Sequence, residues 1–165
     1  MANENNITEN FKCIAFSLIM EAEGFRANVY KCPAGKRTIG YGRNIDDLPL
    51  NDEEANLTFI NGNGDLTITK ENAQRLLKIQ IDTLSNNLQK RFDFFSKLND
   101  ERKAVILDMA YNLGTTKLYN FKKMIAALEN EDYKKASEEM VNSKWFNQVG
   151  SRGTRNVKIM LNGAL

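Results

Sequence analysis

From Thr69 onward the apolar residues fall at Ala73, Leu77, Ile81, Leu84 and Leu88, a 4,4,3,4 spacing kept over five turns. Only an α-helix brings positions so spaced onto one face. Thr69 can accept hydrogen bonds from the first free backbone N–H groups, which makes it a good N-cap. A long helix is therefore predicted over about residues 69–90, long enough to connect two lobes.

Upstream, Phe11, Ile14, Ala15, Leu18, Ile19 and Ala22 repeat at 3,1,3,1,3 and predict an amphipathic helix over about residues 8–23. Gly24 follows as a left-handed stop. Glu23 thus sits at the negative end of the helix dipole, which disfavours an ionised carboxylate. ANVYK and RTIGYG read as two strands around the turn CPAGK, with Pro33 and Gly35 supplying the turn. Strand signals are sparse elsewhere, so only a small sheet is expected. Residues 43–65 read as loop-rich, with a short helix around Asp52 to Phe59 and a break at NGNGD.

Beyond the long helix, DERKAVILDMAYNLG predicts a helix capped by Asp100 and stopped at Gly114. FKKMIAALEN, DYKKASEEMVNS and RGTRNVKIMLNG predict shorter ones. The fold class is α+β: a small hairpin lobe over about 24–68, the long helix, and a larger helical lobe over about 91–165.

Composition narrows the chemistry. The chain has 165 residues, enough for one domain with a real core, and 23 basic against 21 acidic residues leave a net charge of +2. That is too mild to point to nucleic acid. The start, MANENNITENFK, lacks the basic region of a secretory signal, and CIAFSLIM is too short to span a membrane. Histidine is absent, which removes Ser-His-Asp and Cys-His nucleophile pairs and nearly all zinc hydrolase sites. Two cysteines are too few for a disulfide framework. Cys13 is expected as a small buried hydrophobe.

The chemistry left is that of carboxylates, a thiol, hydroxyls, lysine and arginine. Glu23 at a helix end, and Cys32 and Thr38 on the hairpin, can face one cleft. Cleavage of a glycosidic bond needs an acid for the leaving oxygen and a second group across the sugar, which activates water or attacks the anomeric carbon. Glu23 can be the acid, Cys32 and Thr38 lie where the second group belongs, and a hydroxyl can hold a water in line. Lys31, Lys36 and Arg37 are placed to favour a Cys32 thiolate.

The run EGF-x3-VY-x-C-PAG-x2-TIGYG resembles the phage lysozyme family, glycoside hydrolase family 24. Its pattern is Glu, eight residues, Asp or Cys, five residues, Thr, and Glu23, Cys32 and Thr38 match the Cys form. GDLTITKENAQRLL, DERKAVILDMAYNLG and SKWFNQVGSRGTRN are similar to the family's long helix, central helix and S-[RK]-W-[YF]-N-Q…R region. The resemblance weakens between residues 44 and 62.

The resemblance implies a single lysozyme-like domain, with substrate in a cleft between lobes. The implied reaction is cleavage of the β-1,4 bond between N-acetylmuramic acid and N-acetylglucosamine in bacterial peptidoglycan, by an inverting enzyme needing no metal or organic cofactor. It implies Arg152 beside the catalytic Glu, and Tyr111 and Asn112 lining the site; Trp145 is expected to pack between helices. Arg43 departs from the family's usual histidine and Ala22 from an aspartate, which puts local salt bridges in question. Also implied are a monomeric endolysin, neither membrane-inserted nor nucleic-acid-bound, kept in the host cytoplasm until a holin-type partner releases it to the wall. The alternative is a lysozyme-fold module that binds wall or a protein partner without cleaving. A thiol redox protein fits poorly, because no resolving cysteine lies near Cys32 in sequence.

Overall fold

A computed structural model describes residues 9–165. Thr8 and the segment MANENNIT lie outside the described residues. Two compact units divide the chain, one of residues 19–82 and one of residues 9–18 and 83–165. Helix α1 (Asn10–Glu23) and helix α3 (Lys70–Arg91) each contribute residues to both.

In α1, Phe11, Ala15, Leu18 and Ile19 of the predicted apolar face are buried and Ile14 is half-buried, while Ala22 in the last turn is exposed, which corrects its place on that face. Cys13 is exposed, which corrects the expectation of a buried thiol. It lies two residues from Phe11, about 200° around the helix, with the exposed Ser17 and Glu21.

The described part of unit 19–82 carries a five-stranded antiparallel sheet in the order β3-β2-β1-β5-β4. Its strands are β1 (Arg26–Lys31), β2 (Arg37–Gly40), β3 (Arg43–Asn44), β4 (Thr58–Ile60) and β5 (Leu66–Ile68). The hairpin of β1 and β2 sets Tyr30 opposite Thr38 and Lys31 opposite Arg37, and β1 pairs on its other side with β5.

Residues 43–65 are more ordered than their composition suggests. The NGNGD break is the turn of a second hairpin, closed by Asn61 N–H to Asp65 O at 2.9 Å and Gly64 N–H to Asn61 O at 3.0 Å. The short helix α2 spans only Asp52–Ala55, held by a capping box between Asn51 and Glu54. The chain beyond it becomes β4, with Phe59 and Ile60 largely exposed. That exposure removes the inside–outside alternation that reveals a strand.

Helix α3 starts as predicted: Thr69 Oγ1 accepts from Asn72 N–H at 3.1 Å. Ala73, Leu77 and Ile81 are buried in unit 19–82, and Leu84 and Leu88 in the other. The second unit centres on α4 (Asp100–Leu113), whose residues from Ala104 to Ala110 are all buried. A helix buried all round is the middle of a core. Its cap is Asn99, not Asp100: Asn99 Oδ1 accepts from Arg102 N–H at 3.0 Å, and Asp100 joins the first turn. Around α4 lie α5 (Thr115–Tyr119), α6 (Lys122–Glu129), α7 (Tyr133–Val141), α8 (Lys144–Val149) and α9 (Ser151–Asn162). Among the described residues no helix is long and apolar enough to cross a membrane.

Candidate active site

Glu23 is the last residue of α1. Gly24 takes φ +66° and donates its N–H to Met20 O at 3.0 Å, which ends the helix there. The half-buried Glu23 carboxyl packs against Gly42, which has φ +74°: a Cβ built on that residue would stand 2.7 Å from Glu23 Cδ and 3.0 Å from its Cγ.

Cys32 is the first residue past β1. Its turn closes through Cys32 N–H to Lys36 O at 2.9 Å and Gly35 N–H to Cys32 O at 2.8 Å, with Gly35 at φ +78°. The thiol is partly exposed and its pKa lies below the ordinary thiol value. The main cause is the backbone N–H of Lys36, which stabilises the thiolate; partial burial opposes it, and the N–H of Ala34 and the Thr38 hydroxyl add to it. The flanking cations do less than the sequence suggests. Lys36 is held by Asp47 at 3.0 Å and Arg37 by Asp46 at 2.7 Å. Lys36 senses Cys32 only after both aspartates.

Thr38 is 3% exposed, so its hydroxyl has a small set of partners. The single proton can go to Lys36 O at 3.1 Å or to the Cys32 sulfur, but not to both. An ionised thiolate is the stronger acceptor and draws it away from the carbonyl.

Tyr30 lies beside these candidate residues, and sequence reasoning missed it. Burial chiefly raises its phenol pKa, and the negative charge of Glu23 adds to this; Arg26 opposes it, and Cys32 contributes a smaller upward push. Tyr30 is therefore within electrostatic reach of both Glu23 and Cys32, and it pairs across the hairpin with Thr38. The Arg26 guanidinium lies over its ring at 4.4 Å. The signal was the strand register, since a two-strand hairpin fixes which residue faces Thr38.

Arg43 resolves the question raised by the missing histidine. It is 2% exposed and forms a fork with the buried Glu54, Nη1 to Oε2 at 2.6 Å and Nη2 to Oε1 at 3.0 Å. Nε also donates to Leu48 O at 3.1 Å and Nη2 to Pro49 O at 3.3 Å. The arginine thereby ties the loop after β3 to α2. Glu54's pKa is lowered: burial pushes it up, but hydrogen bonds from Arg43 and the Asn51 N–H outweigh that. Ala22 is exposed.

In the other unit, Tyr111 is half-buried on α4 and Asn112 is exposed beside it. Asn112 Oδ1 accepts from Trp145 Nε1 at 2.9 Å, which orients the amide. Trp145 is 3% exposed and packs edge-on to Phe121, the packing role its sequence suggests. Arg152 closes a two-point fork on Asp108, Nη2 to Oδ1 at 2.7 Å and Nε to Oδ2 at 3.0 Å. Asp108, fully buried, also accepts from Asn156 Nδ2 at 2.6 Å and Arg155 Nη2 at 3.3 Å. It too was missed, although an aspartate inside the apolar run AVILDMA must have buried partners. No group of three or more Cys, Asp or Glu among the described residues is arranged to hold a metal ion.

A small antiparallel sheet with a helical majority makes this an α+β protein of lysozyme-like fold. The profile of the phage lysozyme family matches residues 20–160, and the chain belongs to that family. It is similar to probable T4-type lysozyme 1 of Dictyostelium discoideum, 23% identical over 154 residues, covering 87% of this chain and 91% of that protein. Probable T4-type lysozyme 2 of the same organism matches to the same identity and coverage. The pre-baseplate central spike protein Gp5 of Enterobacteria phage T4 is 27% identical over 159 residues, covering 90% of this chain and 28% of that protein.

Proposed function

We propose that the protein is a muramidase of glycoside hydrolase family 24, in the Cys form of the motif, cleaving the β-1,4 bond between N-acetylmuramic acid and N-acetylglucosamine in peptidoglycan. The observation that carries this reading is the grouping around Tyr30: a carboxyl and a favoured thiolate both act on its phenol, and Thr38 sits beside the thiol. Glycoside cleavage requires an acid and a second group flanking the scissile bond, and the shared influence of Glu23 and Cys32 on Tyr30 supports their lying in one neighbourhood.

In this mechanism Glu23 donates its proton to the leaving glycosidic oxygen. Cys32, as thiolate, either takes a proton from a water that Thr38 orients, or attacks the anomeric carbon itself. Water attack yields the inverted α-anomer, while thiol attack followed by hydrolysis yields the retained β-anomer, so the product anomer separates the two. Tyr111 and Asn112 are proposed as sugar contacts, through aromatic stacking and amide hydrogen bonds. Arg152 is proposed to fix its surroundings through its fork on Asp108. The biological role proposed is that of a phage or prophage endolysin, released to the wall by a membrane-permeabilising partner.

The test is turbidity loss of purified peptidoglycan with the native protein and Glu23→Gln. Clearing by the first alone supports the reading. Sedimentation of both with the wall and clearing by neither makes this a binding module.

A further inference from the structure

We infer that Gly42 is a positioning residue for Glu23, its bare α-carbon forming the wall on which the acid's carboxyl rests. The inference builds on Glu23 as the proposed acid and goes beyond it to what sets the direction of its proton.

Two constraints meet at residue 42. Its φ of +74° disfavours any side chain, and a Cβ there would stand 2.7 Å from Glu23 Cδ. Backbone conformation alone does not create such a contact: Gly24, Gly35, Gly64, Gly114 and Gly150 also have positive φ, and a Cβ at any of them meets nothing within 4 Å. Gly40 meets Ala73 Cβ at 3.3 Å, an approach to core packing, and Gly163, in the other unit, meets Arg102 Nη1 at 2.9 Å.

The wall itself is held firmly. Tyr41 on one side is 5% exposed and packs on Phe25 at 5.6 Å between ring centroids. Arg43 on the other side is anchored by its fork on Glu54 and by the carbonyls of Leu48 and Pro49. The group it meets is the far end of a flexible side chain. A methyl at residue 42 would therefore push the Glu23 carboxyl aside and leave the backbone in place. Moving an acid by about 1 Å from its working geometry can cost on the order of 100-fold in rate.

The experiment pairs Gly42→Ala with Gly64→Ala, whose φ of +83° brings the same kind of backbone strain with no neighbour. Turnover of peptidoglycan by Gly42→Ala, per folded molecule, should fall about 100-fold with KM changed little. The alkaline limb of its pH–rate profile, where a general acid loses its proton, should move, while Gly64→Ala keeps native kcat and profile. Native kcat and an unmoved profile in Gly42→Ala would overturn the inference.

A melting cycle decides the contact without activity. Glu23→Ala should raise the Tm of Gly42→Ala by several degrees more than it changes that of the native protein, because truncation removes the clash. Equal changes in both backgrounds would overturn the inference. If the native protein fails to cleave peptidoglycan, the proposed function falls, and the melting cycle still reports whether Gly42 seats Glu23.

Discussion

Replacing Arg43 with methionine keeps a long side chain but leaves Glu54 without its guanidinium. Both residues are almost wholly buried, at 2% and 5% exposure, and the fork distances are 2.6 and 3.0 Å. Removing one partner of a buried ion pair costs about 3–5 kcal/mol, because the other charge stays buried and uncompensated. In a chain of this size each kcal/mol moves Tm by roughly 2–4 °C, so Arg43→Met should melt about 6–20 °C lower near neutral pH. The carbonyls of Leu48 and Pro49 lose donors as well, which favours the upper part of that range.

The pH dependence carries the sharper check. The folded-state pKa of Glu54 is depressed, so the pair's contribution is complete above the ordinary glutamate value and is lost as pH falls through the lower folded value. In the variant, burial without the arginine pushes Glu54 towards its neutral form, and acid relieves the penalty. Melts followed by circular dichroism at about pH 7 and about pH 3.5 should therefore show the gap between variant and native protein narrowing in acid. A loss smaller than about 2 °C at neutral pH, or a gap unchanged by acid, would refute the reasoning.

Alkylation of Cys32 by iodoacetamide, followed by peptide mass mapping, should reach half its maximal rate at a pH below that of an ordinary thiol, whose pKa is about 8.5. Thr38→Val should move that midpoint upward without abolishing the shift, since the Lys36 N–H remains; an unmoved midpoint would remove the hydroxyl from the thiolate's partners. Asp108→Asn keeps the shape but strips the charge that Arg152 and Arg155 face, and should cost about 3–5 kcal/mol by denaturant titration. A cost below about 1 kcal/mol would mean that the network contributes little beyond neutral hydrogen bonds.

Local grammar was legible. Thr69 caps α3, Gly24 stops α1, Gly114 stops α4, and the hairpin forms around CPAGK, because each depends on a few adjacent residues. Features that depend on distant partners were hidden. Nothing in sequence places Arg43 on Glu54, Gly42 on Glu23, or four donor bonds on Asp108, since each pairing exists only after tertiary closure. Cys13 failed for a different reason: its residue type suggests burial, while the helical period assigns it to the outer face. The second hairpin was masked because β4 exposes Phe59 and Ile60, so its pattern does not alternate. For the candidate site, the family resemblance of the run from Glu23 to Gly42 proposed Glu23, Cys32 and Thr38, and strand register sets Tyr30 opposite Thr38.

The most direct measurement is the chemical identity of the sugar ends released from purified peptidoglycan, by borohydride labelling and mass spectrometry, with the native protein and Glu23→Gln. A muramidase using Glu23 as its acid leaves reducing N-acetylmuramic acid ends in the native digest and none with the variant. Anhydro-muramic acid, reducing N-acetylglucosamine, or equal product from both proteins would contradict it.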